Sequence, residues 1–137
     1  MKFQFNKPLP LEAKIIREKV FVLEQGFENE FDEIDDIAYH LVVFQDDKPI
    51  GCARMFVENE HMVLGRIAVL KEYRHLHIGS QILQKLEDKA KSLGYHETVL
   101  SAQVRAKSFY EKNGYVCFGE EYLDEYCPHI HMKKILS

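Results

Sequence analysis

The stretch GRIAVLKEYRHLHIGSQIL, Gly65 to Leu83, decides the fold. Its first five residues read as the end of a β-strand, and a polar loop with Arg74, His75 and His77 follows. From Ile78 the apolar residues Ile78, Ile82, Leu83, Leu86, Ala90 and Leu93 recur at three-and-four spacing, which predicts a helix from about Ile78 to Leu93 that stops at Gly94. A helix entered from a tight strand-to-helix loop presents unpaired backbone N–H groups with the positive end of its dipole behind them, an arrangement suited to a phosphate or pyrophosphate. Gly79 lets a ligand approach the backbone, Ser80 adds a hydroxyl and Arg74 a guanidinium fork. The G-x-G-x-x-G and G-x-x-x-x-G-K-[ST] fingerprints are absent, so a second role for Gly79, close helix–sheet packing, stays open.

Outward from this unit the chain alternates in period. Phe3 and Phe5 predict a short first strand, and Leu11, Ile15, Ile16, Lys19, Val20 and Leu23 predict a helix over residues 11–24. Ala38–Gln45, Ile50–Val57 and Met62–Val69 read as an antiparallel meander joined by the connectors DDKP and ENEH. Downstream come a strand at Thr98–Ser101, a short helix at Ala106–Lys112 ended by Asn113-Gly114, and strands at Val116–Phe118 and Ile130–Lys134. This order predicts an α/β (α+β) domain over residues 1–137, a mixed sheet covered by helices. The crossovers 70–97 and 103–115 place at least one parallel pair in the sheet.

Composition narrows the function classes. The 137 residues are 46% apolar and 29% charged, with a net charge of −4, which fits one globular unit and disfavours a nucleic-acid surface. No run approaches the roughly 20 apolar residues of a membrane span, and MKFQFNKPLP lacks the layout of a secretory signal, so a cytoplasmic location is expected. Cys52, Cys117 and Cys127 are too few and too widely spaced for a disulfide framework. Seven carboxylates fall between Glu24 and Asp36 with no Lys or Arg among them. That segment is either solvated or a means of concentrating a cationic ligand.

A second segment, SAQVRAKSFYEKNGY from Ser101 to Tyr115, gives the first its context. Together YRHLHIGSQIL and AKSFYEKNGY resemble the two signature segments of the GCN5-related N-acetyltransferases, [RQ]-x-x-G-x-[GA] and N-x-x-A-x-x-F-Y-x-x-x-G-[FY]. VFVLEQGF, GRIAV, SAQ and PHIHM are similar to the small bacterial branch typified by the ElaA and YjcF proteins. His77 stands where a loop glycine is usual and Gln103 where an Asn is usual; the first substitution removes freedom to adopt positive φ.

The resemblance implies a mostly antiparallel sheet with helices on both faces and acetyl-CoA as co-substrate, held where two parallel strands splay apart. Main-chain groups of Ile67, Ala68 and Val69 would pair with pantetheine, with an N–H near Val69 polarising the thioester carbonyl. Leu76, His77, Ile78, Gly79 and Ser80 would present N–H groups to the pyrophosphate, and Arg74, His75, Gln103 and Tyr110 would complete the cofactor-binding set. The implied reaction is direct attack of an amine on the thioester in a ternary complex. Tyr110 would return a proton to the thiolate. Glu24 is the first candidate for the general base, followed by His40, Asp36, Glu30 or a water relay. Arg54 and Arg66 lie inside strands, where charge needs a partner. They either grip an acidic group of the acceptor, with Glu24 and His40 beside them, or pair with the acidic segment; registering 54 against 66 would turn both to one face.

Three other readings compete. His75 with His77, or His129 and His131 with Cys127, suggest a metal site, but zinc-finger spacing is absent and no metal is expected; a structural or substrate-facing role suits His129 and His131 better. A non-catalytic module that holds acetyl-CoA or CoA would share every binding feature and lack turnover. A nucleic-acid binder has no basic stripe to support it. The expected partners are acetyl-CoA and a small amine acceptor, and exposed strand edges with the segment Cys127–Lys134 would allow a homodimer.

Overall fold

The computed structural model of the protein describes residues 1–137. Seven strands, β1 (Lys2–Asn6), β2 (Tyr39–Gln45), β3 (Lys48–Glu58), β4 (His61–Val69), β5 (Glu97–Gln103), β6 (Val116–Asp124) and β7 (Cys127–Ile135), form one sheet in the order β1-β2-β3-β4-β5-β7-β6. Helices α1 (Leu11–Arg17), α2 (Ile78–Ser92) and α3 (Lys107–Lys112) cover it. Only β4 and β5 are parallel neighbours. The second crossover does not add another parallel pair, because β7 inserts antiparallel between β5 and β6. The segment expected to offer a dimer edge is therefore internal, and the edges are β1 and β6.

The alternation of the strands produces two cores. Leu41 and Val43 of β2 pack with Ile78, Ile82, Leu83 and Leu86 of α2 on one face, whereas Val42 packs with Ala13, Ile16, Val20 and Phe21 on the other. Strands buried on both faces lose the polar alternation of a half-exposed strand, which explains the run LVV. The β2–β3 and β3–β4 connections are tighter than the four-residue connectors expected. Asp46-Asp47 and Asn59-Glu60 all adopt positive φ, giving two-residue turns whose twist matches that of the strands.

The first helical segment departs from its expected stripe. Beyond Arg17 the chain widens into a π-helix over Glu18–Glu24, with the Gln25 N–H donating to the Val20 carbonyl. The buried face is Ala13, Ile16, Arg17, Val20 and Phe21, whereas Leu11, Ile15 and Leu23 are exposed. The true stripe keeps the same spacing one step over. It was hidden by a small alanine and by an arginine whose charge is met only in the folded chain.

Arg54 is not registered against Arg66. Arg54 pairs with Gly65, and a bulge places Arg66 at φ 52°. The bulge re-aims Arg66, so both guanidiniums reach the Asp32 carboxylate in spite of the shifted register.

Candidate active site in the cleft between the parallel strands

β4 and β5 pair only from Met62/Thr98 to Leu64/Leu100 and then separate. The opening holds two adjoining cavities. The larger, about 600 Å³, runs along Ile67, Ala68 and Val69 to Arg74, His75, His77, Ile78, Gly79 and Ser80, with α3 as its other wall. The smaller, about 300 Å³, lies among Leu64–Ile67, Leu100, Ser101 and Gln103, under Phe27, Glu30, Asp124, Glu125 and His129. Ile67, Ala106 and Tyr110 line both.

The larger cavity offers main-chain donors. Ile67, Ala68 and Val69 have no partner strand on their β5 side. Because the Leu70 N–H donates to the Ile50 carbonyl, alternation turns the Val69 N–H away from β3 and toward the opening. At the start of α2 no side chain caps the helix, which leaves the N–H groups of Ile78, Gly79 and Ser80 unpaired at the positive end of the dipole. His77 takes φ 60° and ψ 20°. It thus adopts the left-handed conformation a glycine would have supplied, which histidine tolerates better than most side chains. Gly79 serves packing as well as access, since a Cβ there would lie 3.0 Å from Phe109 Cζ.

Several residues from the sequence reading have other duties. Arg74 donates from Nη1 and Nη2 to the two carboxylate oxygens of Glu24, at 2.6 and 2.8 Å, and from Nε to the Val69 carbonyl. Its fork is filled by the candidate base. Glu24 lines neither cavity, and the Arg74 bonds hold its carboxyl below the usual range. Leu76 is 57% exposed and lines neither cavity. Gln103 faces the smaller cavity and hydrogen-bonds Gln25.

Behind the smaller cavity lies a buried ion network. Arg17 donates to Glu30 at 2.9 Å and to Asp35 at 2.7 Å; Arg54 donates to Asp32 at 2.7 Å and Asp35 at 3.0 Å; Arg66 lies 3.0 Å from Glu30. Burial pushes the Asp35 carboxyl up, but hydrogen bonds led by that from Arg17 outweigh it and bring the pKa down to about 2. Glu30 stays raised because burial dominates its attraction to Arg66 and Arg17. His40 is buried, donates from Nε2 to the Asp35 carbonyl at 2.9 Å, and is shifted down by burial. Arg54 and His40 therefore line neither cavity; Arg66 reaches the smaller one already paired.

Tyr110 stands at the junction. Its ring packs edge-on against Phe109 and Tyr115, its hydroxyl has no hydrogen-bond partner in the protein, and burial pushes its pKa up to about 12. Sequence reasoning missed Ser108, Lys112 and Asn113, which carry the second motif's spacing onto the cavity wall. It also missed Phe27, Asn29, Asp124 and Glu125 around the smaller cavity, which no local pattern marks. They meet because the Glu125 carboxylate accepts from the N–H groups of Glu28 and Asn29, and Tyr126 donates to the Gln25 carbonyl, tying the β6–β7 hairpin to the loop after the π-helix.

Comparisons with known proteins agree with this architecture. Residues 12–136 match the acetyltransferase (GNAT) domain. The uncharacterized N-acetyltransferase YjcF of Bacillus subtilis is 39% identical over 126 residues, 90% of each chain. Among solved structures, Escherichia coli ElaA superposes with a TM-score of 0.87 at 26% identity, covering 98% of this chain and 99% of its own. An acyl-CoA N-acyltransferase from Pseudomonas aeruginosa gives 0.88 at 25%, covering 97% and 98%. With 12–136 of its 137 residues matched to that domain, and with the splayed parallel pair and uncapped helix start in place, this chain belongs to the acetyltransferase (GNAT) family.

Proposed function

We propose that the protein transfers an acetyl group from acetyl-CoA to a primary amine of a small molecule or peptide, by direct attack in a ternary complex. The observation that carries this is the continuity of the two cavities at Tyr110: an anion-binding helix start at one end, a polar chamber at the other, and a phenol between them. The residues suit the co-substrate. The unpaired N–H groups of Ile78, Gly79 and Ser80 can receive a pyrophosphate, and the free edge of Ile67–Val69 can take main-chain bonds from an extended amide chain. When bound, the co-substrate supplies the activated acetyl group.

The chain's own groups position and move protons. The Val69 N–H polarises the acyl carbonyl, and Tyr110 holds its proton at neutral pH and can donate it to a departing thiolate. Arg54 and Arg66 already neutralise carboxylates, which removes their case for gripping an acidic acceptor. Asp124 at the exposed rim has no cationic partner in the protein, and favours an acceptor with positive charge. A purely binding module would share these cavities and differ only in lacking turnover.

The test measures thiol release from acetyl-CoA over a panel of alkyl diamines and lysine amide, alongside calorimetry with CoA. Turnover is expected, with Tyr110→Phe slowing kcat about 100-fold and CoA affinity changing less than threefold. Tight CoA binding without turnover on any amine would favour the module; no CoA binding would overturn both.

A further inference from the structure

We propose that His129 is the group that takes the proton from the acceptor amine, an inference that rests on the acetyl-transfer reading above. His129 lies on β7, opposite Gln103 of β5, and lines the smaller cavity together with Tyr110. It is only 6% exposed, with its ring packed against Phe27 and Tyr122 at centroid distances of 6.4 and 6.0 Å. Its Nδ1 is 2.9 Å from the Cys127 carbonyl oxygen. A carbonyl can only accept, so Nδ1 carries the hydrogen, and in the neutral ring the lone pair is on Nε2. No protein group bonds Nε2. The result is an oriented imidazole with its basic nitrogen unclaimed, in the chamber assigned to the amine.

The other titratable groups around that chamber are less suited to the task. Glu24 is outside it and bound by Arg74. Protonating Glu30 would strip Arg17 and Arg66 of a buried counter-charge. Glu125 is held by two backbone N–H groups, and Asp124 is a solvated carboxylate at the rim. Tyr122, beside the imidazole, donates to or accepts from Ser101. Proton uptake by His129 breaks no bond, because the Nδ1–H remains on the Cys127 carbonyl.

In the resulting sequence the ammonium gives one proton to Nε2 and the freed lone pair forms the N–C bond as the C–S bond breaks. The nitrogen then loses its second proton to solvent, and Tyr110 protonates the thiolate and recovers its proton from solvent. One proton is released overall, through His129.

The test compares wild type, His129→Gln and His129→Ala, using acetyl-CoA with the most reactive amine of the panel. For His129→Gln, kcat/KM is expected to fall about 100- to 1,000-fold, the acidic limb of its pH profile to vanish, and the CoA dissociation constant to stay within threefold. Added imidazole should restore part of the rate of His129→Ala. An active wild type with an equally active His129→Gln would overturn the base assignment alone. So would a slowed variant that keeps the wild-type pH profile and gains nothing from imidazole, which would mark a structural role. A wild type that binds CoA but acetylates no amine would instead remove the acetyl-transfer reading on which the base depends.

Discussion

Replacing Arg17 by methionine tests how the acidic segment is held. Arg17 is 1% exposed and makes four hydrogen bonds, two to Asp35 oxygens and two to the Glu30 carboxylate and carbonyl. Methionine fills similar space but leaves Glu30 and Asp35, each 4% exposed, with Arg54 and Arg66 as their remaining partners. Removing one partner of a buried pair costs about 3–5 kcal/mol, and a urea slope of about 2 kcal/mol per molar turns that into a midpoint lower by about 2 M. The loss has a pH signature. With its pKa lowered to about 2 from an ordinary 3.8, Asp35 contributes about 2 kcal/mol of wild-type stability. That contribution is complete above pH 4 and is lost as pH falls through about 2. Without Arg17 the Asp35 pKa rises, so the gap between wild type and Arg17→Met should narrow between pH 7 and pH 3. Urea titrations read by tryptophan-free far-ultraviolet dichroism at both pH values measure this. A loss below 1 kcal/mol at pH 7, or a gap that does not change with pH, would refute the network as the clamp on residues 30–35.

Other perturbations test the groove. Glu24→Gln removes the Arg74 counter-charge without touching either cavity, so turnover should stay within threefold and CoA affinity should not weaken; a 100-fold slower kcat would return Glu24 to the role of base. His77→Gly replaces a left-handed residue by one that adopts φ 60° freely, and thermal unfolding should show no destabilisation and a gain of up to about 1 kcal/mol. Gly79→Ala sets a Cβ 3.0 Å from the Phe109 ring. It should cost about 1–3 kcal/mol by overpacking and weaken CoA binding at least tenfold in calorimetry, whereas unchanged affinity would show that α3 yields without disturbing the cleft.

Much of the fold was legible because its signals are local. The period of three-and-four from Ile78 to Ala90, the breaker Gly94, and the polar turns between β2, β3 and β4 depend on neighbours a few residues apart. The positions of the loop and of Tyr110 on the cavity wall follow from equally local pieces of chain, since the loop and the FYEKNGY segment each bring near neighbours in sequence to the larger cavity. The stripe of the first helix was misread because hydrophobicity alone cannot show that Arg17 will be buried with two carboxylates from residues 13 and 18 positions away.

The sequence by itself determined the order of strands and helices and the pairing of a glycine-poor loop with a helix start, because backbone propensity and periodic burial act over one or two turns. Only the tertiary structure decided which charges are free. It joined Arg74 to Glu24 across 50 residues and brought the hairpin around Glu125 onto the loop at Glu28, almost 100 residues away. It also turned His129 into the chamber beside Tyr110. Ion pairing and desolvation depend on distances of a few ångströms in space, and spacing along the chain carries no record of them.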